Sequence, residues 1–289
     1  MRPANIITAF ADILAGFAVA GGLALFNQAA TPGVALRLGW LLISTFGLYG
    51  GGVVFNDVFD AELDARERPE RAIPSGKVTR HNAIWLGSVL LSIGVLAAFL
   101  ATILSGVLAV FIVLCALFYN AKAKYSTFFG PFFMGVCRAG NLLLGCSIIA
   151  GVAAHFWMLG LFPVIYIGAI TLVSQGEVHG GKKTLSYFAL GLIILVIIAL
   201  SLLSYLSSYT FVKAIPFIIL FTLTVFPPFF KVTIIPSPER IKHAVKRGVL
   251  SLILLNSVLA AGFSGFILGG IILVLLPISI WLSTVIAVT

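Results

Sequence analysis

Nearly all of this chain is divided into apolar stretches of the length that a bilayer selects. They run over 7–28, 35–56, 83–104, 105–119, 128–151, 155–177, 184–206, 210–230, 245–262 and 265–286. A helix needs about 20 mostly apolar residues to cross a hydrocarbon core of roughly 30 Å. Membrane-spanning β-strands would run about ten residues with alternating polarity, and that alternation is absent. Backbone groups in lipid must find their hydrogen bonds within the segment, so the stretches read as helices. The expectation is an all-α, polytopic transmembrane bundle of nine to ten helices, forming one domain over 1–289. The count is open because the last two stretches can be one helix broken around Gly262-Phe263-Ser264-Gly265. With 61% hydrophobic and 9% charged residues, a water-soluble globule, a disordered chain and a DNA-binding domain are excluded. The N-terminal stretch, interrupted by Asp12, reads as a first span rather than a cleaved signal peptide.

A net charge of +9 would suit nucleic acid if it formed one patch, but it is spread over short loops. Threading ten spans places Arg2, Arg66, Arg68, Arg71, Lys77, Arg80, Lys122, Lys124, Lys182, Lys183, Lys231, Arg240, Lys242, Lys246 and Arg247 on one side. Arg37 and Lys213 fall on the other, and Arg138 lies inside a span. Basic residues in short loops mark the cytoplasmic face. The expectation is therefore a multi-pass protein of the inner (cytoplasmic) membrane with both termini cytoplasmic and no nucleic-acid partner.

The acids are concentrated more sharply still. Six of the nine, namely Asp57, Asp60, Glu62, Asp64, Glu67 and Glu70, lie between 57 and 70. On a helix Asp57, Asp60 and Asp64 stand at i, i+3 and i+7, which puts three carboxylates on one face. Stacked like charges need a cation between them to remain ionised. Hard oxygen donors suit Mg²⁺, which binds through one or two carboxylates together with substrate phosphates. The chain continues Arg68-Pro69-Glu70-Arg71-Ala72-Ile73-Pro74-Ser75-Gly76, where two prolines and a glycine set a loop. Arg68 and Arg71 are suited to bidentate bonds with phosphate oxygens. The residues point to a diphosphate held by Mg²⁺ at the membrane face.

The pattern N-D-x-x-D-x-x-x-D followed by R-P-x-R-x-x-P-S-G resembles the first aspartate-rich motif of the UbiA superfamily of intramembrane prenyltransferases. Asn56, Asp57, Asp60, Asp64, Arg68, Pro69, Arg71, Pro74, Ser75 and Gly76 match it, while Ala72 stands where the family usually has proline. The resemblance implies a helical bundle around a central cavity open to the cytoplasmic side. It also implies Mg²⁺-dependent transfer of a prenyl group from a prenyl diphosphate to a hydrophobic aromatic or lipid acceptor. Asp57, Asp60, Asp64 and Lys124 would then be catalytic, with Asn56, Arg68, Arg71, Tyr119, Arg138, Asn141 and Lys183 binding substrate.

Two later segments bear on the same reading. Tyr119-Asn120-Ala121-Lys122-Ala123-Lys124 is similar to the family's Tyr-x-x-x-x-Lys element, with Lys124 the better match and Lys122 an alternative. Either lysine can instead be a snorkelling anchor at a helix end, and Tyr119 an interfacial ring. The run Ser174-Gln175-Gly176-Glu177-Val178-His179-Gly180-Gly181-Lys182-Lys183-Thr184-Leu185 occupies the place of the second aspartate-rich motif. There Glu177 replaces an aspartate, and the earlier partner aspartate is missing among residues 170–174. Glu177 completes the expected metal set with Asp57, Asp60 and Asp64, and His179 is a candidate general base.

Inside the spans, an arginine in lipid is costly by roughly 2.5 kcal/mol or more. Asp12 and Arg138 are accordingly expected to line the cavity, either paired or with Arg138 reaching substrate. Cys115, Cys137 and Cys146 read as buried free thiols. The altered second motif and the Cys137-Arg138-Ala139-Gly140-Asn141 segment also resemble the UbiA-like proteins of the ebo gene cluster. That branch implies an alternative, a catalytically degenerate protein that binds a lipid or prenylated intermediate and assists its biosynthesis or export. A secondary transporter would require paired broken spans in corresponding halves, which the sequence lacks.

Overall fold

The computed structural model describes residues 3–27, 33–178 and 180–285. Among them the regular structure is entirely helical. The elements are α1 (Pro3–Val19), α2 (Val34–Phe59), α3 (Ala61–Glu67), α4 (Arg80–Ala101), α5 (Ile103–Ala121), α6 (Phe129–Cys146), α7 (Val152–His155), α8 (Leu161–Ser174), α9 (Lys183–Leu202), α10 (Phe211–Ile234), α11 (Pro238–Leu250), α12 (Leu252–Ser264) and α13 (Phe266–Val285). Each apolar stretch expected from the sequence contains one of the longer helices. His179 and Arg2 lie outside the described residues.

Eight helical stretches among the described residues are long and apolar enough to cross a membrane, and α11 with α12 forms one of them, Pro238–Ser264. The expected spans over 7–28 and 128–151 are not in that group. The first is cut short because Gly21 and Gly22 adopt φ of 123° and 58° and turn the chain into a 3-10 segment at Gly22–Asn27. Its apolar helix covers only Asn5–Val19. The second is α6, which ends at Cys146 and carries Arg138 and Asn141 within it.

These two helices sit inside the bundle. The main neighbours of α1 are α2, α6, α12 and α13, and α6 packs on α5 and α8 as well. Ala11, Ile13, Ala15, Phe17 and Ala18 of α1 are buried, as is every residue of α12 from Leu252 to Gly262. Lipid tails offer no hydrophobic advantage to helix contact, so association rests on close packing and polar contacts. Gly16 and Gly145 supply the first between α1 and α6. A Cβ on Gly16 would meet the backbone of Leu142 and Cys146, and one on Gly145 would meet the backbone of Ile13.

The break left open at 262–265 is a turn between two separate helices. Gly265 has φ 93°, a left-handed conformation that costs glycine little. The chain reverses there, and α13 packs along α12.

Candidate active site

The acidic motif lies where α2 stops. Asp60 ends α2 with φ −87° and ψ 0°, yet the chain restarts at once as α3. The backbone bonds Asp60 N–H to Asn56 O (3.0 Å), Asp64 N–H to Asp60 O (2.7 Å) and Arg68 N–H to Asp64 O (2.8 Å) carry a helical repeat through the junction. The i, i+3, i+7 alignment survives the break, and one guanidinium proves it. Arg71 Nη1 donates to Asp64 Oδ2 at 2.8 Å and lies 3.4 Å from Asp57 Oδ1.

Arg71 is brought there by the proline-rich loop. Its backbone N–H bonds Arg68 O, Ser75 N–H bonds Arg71 O, and Gly76 turns with φ 76°. Thr79 then caps α4 through a bond from Asn82 N–H at 3.2 Å. The loop thus folds back over the carboxylates instead of trailing into water. Asp64 is nearly closed off, at 6% side-chain exposure, while Asp57 remains open at 41%.

The second cation comes from the end of α5. Lys122 caps that helix and is exposed, whereas Lys124, in the 3-10 turn Ala123–Tyr125, is drawn inward. Lys124 Nζ forms an ion pair with Asp60 Oδ1 and lies 5.4 Å from the centre of the Tyr125 ring. Of the two lysines left open by the sequence, Lys124 is the one at the aspartates. Asn56 is oriented by a residue that sequence reasoning missed. Its Nδ2 donates to Asn120 Oδ1 at 3.1 Å, and Asn120 Nδ2 donates to Gly52 O at 3.1 Å. An apolar helix ending in a buried asparagine, inside the Tyr119–Lys124 element itself, was the available signal.

Other expected residues are arranged more loosely. Tyr119 is half-buried near the end of α5. Arg68 caps α3 with its side chain exposed. Glu177 is half-buried in the turn after α8, and Lys183 opens α9 from an exposed position. That turn is secured by Gln175 Nε2 to Thr127 O (3.1 Å) and by Gly181 N–H to Pro236 O (3.0 Å).

Arg138 and Asn141 belong to a separate buried polar cluster. Arg138 Nη1 pairs with Asp12 Oδ2 at 2.8 Å, and its Nη2 donates to Thr8 Oγ1 at 2.6 Å. The guanidinium carbon lies 5.4 Å from the centre of the Tyr49 ring. Asn141 Nδ2 bonds Ala9 O (2.8 Å) and Asp12 Oδ2 (3.1 Å), and its Oδ1 accepts from Thr45 at 2.7 Å. Asn256 Nδ2 reaches Asp12 Oδ1 at 2.7 Å. The pairing of Asp12 with Arg138 is therefore realised. The cluster ties α1, α2, α6 and α12 together, and Thr8, Thr45, Tyr49 and Asn256 were not legible as its members.

At the aspartates, Arg71 pairs with Asp57 and Asp64, and Lys124 pairs with Asp60. Among the described residues no three His, Cys, Asp or Glu groups converge into a metal cage. The donor set still fits Mg²⁺, which is rarely caged by protein alone and uses one or two carboxylates plus phosphate oxygens. Asp57 and Asp60, a helical turn apart with Asp57 open to the outside, are the oxygens suited to it. Asp64, closed beneath Arg71, is suited to holding the arginine.

Known proteins share this chain's sequence pattern and its fold. The UbiA prenyltransferase family profile matches residues 13–245. A digeranylgeranylglyceryl phosphate synthase from Methanothrix thermoacetophila is 33% identical over 225 residues, covering 71% of this chain and 78% of that protein. One of the same name from Methanococcoides burtonii is 30% identical over 173 residues, which is 58% of this chain and 57% of the relative, less than two thirds of its length. A solved structure described as digeranylgeranylglyceryl phosphate synthase superposes with a TM-score of 0.68 at 21% identity, covering 89% of this chain and 94% of the other, and so shares the fold. With an intact aspartate motif on that fold and a family match over most of its length, the chain belongs to the UbiA prenyltransferase family.

Proposed function

We propose that the protein transfers a prenyl group from a prenyl diphosphate to a lipid acceptor inside the membrane, with Mg²⁺ at the aspartate site and that site on the cytoplasmic face. The observation that carries this reading is the arrangement at the end of α2, where Arg71 and Lys124 lie directly against Asp57, Asp60 and Asp64. Both cations are within reach of any anion that approaches the carboxylates. An arriving diphosphate gives Arg71 and Lys124 a more highly charged partner than the aspartates. Asp57 and Asp60 would then hold Mg²⁺, which would neutralise charge on the departing pyrophosphate.

Cleavage of the carbon–oxygen bond leaves the electron pair on pyrophosphate and a cation on the prenyl carbon. Preorganised positive groups at the developing charge are the strongest catalytic device available to such a site. Lys124, Arg71 and the exposed Arg68 fill that role, and Asn56 is held in place by Asn120. Glu177, Lys183 and Tyr119 are assigned to the rim, with Glu177 supplying a carboxylate from the second motif's position. The acceptor oxygen then bonds the prenyl carbon, and its proton passes to the departed pyrophosphate. The product named for the archaeal relatives, a glyceryl phosphate carrying two geranylgeranyl groups, supports a glyceryl lipid over an aromatic acceptor.

The test is a transfer assay on the protein in nanodiscs, with geranylgeranyl diphosphate and separate glyceryl-lipid and aromatic acceptors. The expected result is a prenylated lipid, and a loss of about 100-fold or more in Asp60→Asn. Failure to form product with any acceptor, or full activity in Asp60→Asn, would overturn the proposal.

A further inference from the structure

Away from the aspartates, the junction of α10 and α11 carries a second concentration of positive charge. Lys231 lies in the last turn of α10, a membrane span, and Arg240 and His243 lie in α11. With Pro228 and a single acid, Glu239, they line a cleft of about 160 Å³. Arg240 Nη1 donates to the Lys231 carbonyl at 3.2 Å, which fixes the guanidinium at the end of the span. A guanidinium has five N–H donors, and this bond uses one of them.

The helix itself is two-faced. Ile241, Ala244 and Gly248 are buried toward the bundle, while Lys242, His243, Lys246 and Arg247 are exposed. The basic face of α11 opens the Pro238–Ser264 stretch directly after the end of α10, and a cluster of Lys and Arg at the end of a span attracts anionic lipid. Next to the cleft the surface of α10 is apolar. Leu223, Phe230 and Ile234 are exposed by 68%, 46% and 51%, and Phe226 stacks on Phe230 with centroids 5.9 Å apart. The junction joins cationic donors for a headgroup to an apolar rail of acyl-chain character.

We propose that this junction is a binding site for an anionic phospholipid of the surrounding bilayer. Its phosphate is taken by Lys231 and Arg240, and its acyl chains lie along α10. Charge complementarity selects the occupant, because Lys231 and Arg240 against the one carboxylate of Glu239 leave the cleft net positive. The aspartates belong to α2 and α3, whereas α11 packs mainly on α10 and α8, and the junction meets the turn that carries Glu177 through the bond from Gly181 N–H to Pro236 O.

The test is native mass spectrometry of the full-length protein in detergent, supplied with equal phosphatidylglycerol and phosphatidylcholine. Phosphatidylglycerol should be retained in preference. Lys231→Gln should weaken that preference about fivefold, the effect of removing one cation at a charged surface. Lys231→Arg should keep it. Lys213→Gln, which removes an exposed cation at the opposite end of α10, should also leave it unchanged. Equal retention of both lipids would overturn the proposal, and so would a Lys231→Gln effect no larger than that of Lys213→Gln.

Discussion

Arg71 and Lys124 neutralise most of the charge that the aspartates would otherwise impose on one another. Lys124 and Lys122 are two residues apart and equally basic, yet only Lys124 is in the site, because the 3-10 turn after α5 directs it inward. Lys124→Met should therefore lower activity about 100-fold, a magnitude typical of one lost electrostatic contact to a transition state. Lys122→Met should leave it within about twofold, and paired rate measurements check both. Arg138 carries a different obligation. Its removal leaves Asp12 charged and buried, at a cost of about 3–5 kcal/mol for one broken partner. Arg138→Met should unfold at a clearly lower temperature in detergent, and adding Asp12→Asn should recover part of the loss. An unchanged melting temperature in the single variant would mean the pair does not hold the bundle.

Among the helices, what could be read in advance followed from periodicity. Most of the apolar stretches, the alignment of Asp57, Asp60 and Asp64 and the loop after Pro69 are local patterns that appear where expected, while the stretches over 7–28 and 128–151 form shorter helices. The interior position of α1 and α6 was not legible. A span facing lipid and a span facing other helices are both apolar, and only Asp12, Arg138 and the small residues hinted at the difference. Asn120 and Asn256 were missed because their partners, Asn56 and Asp12, are distant in sequence. Such pairing is decided by how helices pack and not by any local spacing. The closest helix approach gives a direct check. Gly145→Val would drive a side chain into the backbone of Ile13. It should reduce the yield of monodisperse protein sharply, whereas Gly191→Val, which meets open space, should not. Size-exclusion profiles of the two variants distinguish the outcomes.

For the protein as a whole, charge distribution and chemistry are expected to coincide on one face of the membrane. We propose that the loop from Arg68 to Gly76, the Lys124 turn, the turn at Glu177 and the basic α11 share the cytoplasmic side, the side to which the sequence distribution of basic residues assigns them. A cysteine introduced at Ser75 should react with an impermeant thiol reagent in inverted vesicles and stay protected in intact cells. The reverse pattern would place the site outside. The function itself depends on whether the aspartate site ionises a prenyl diphosphate with the help of a divalent cation. Pyrophosphate release by the protein in nanodiscs, followed with geranylgeranyl diphosphate as substrate, addresses this directly. Release should require Mg²⁺, stop on addition of EDTA and return when Mg²⁺ is restored. Release that continues undiminished in EDTA, or none at any Mg²⁺ concentration, would contradict the role assigned to Asp57 and Asp60.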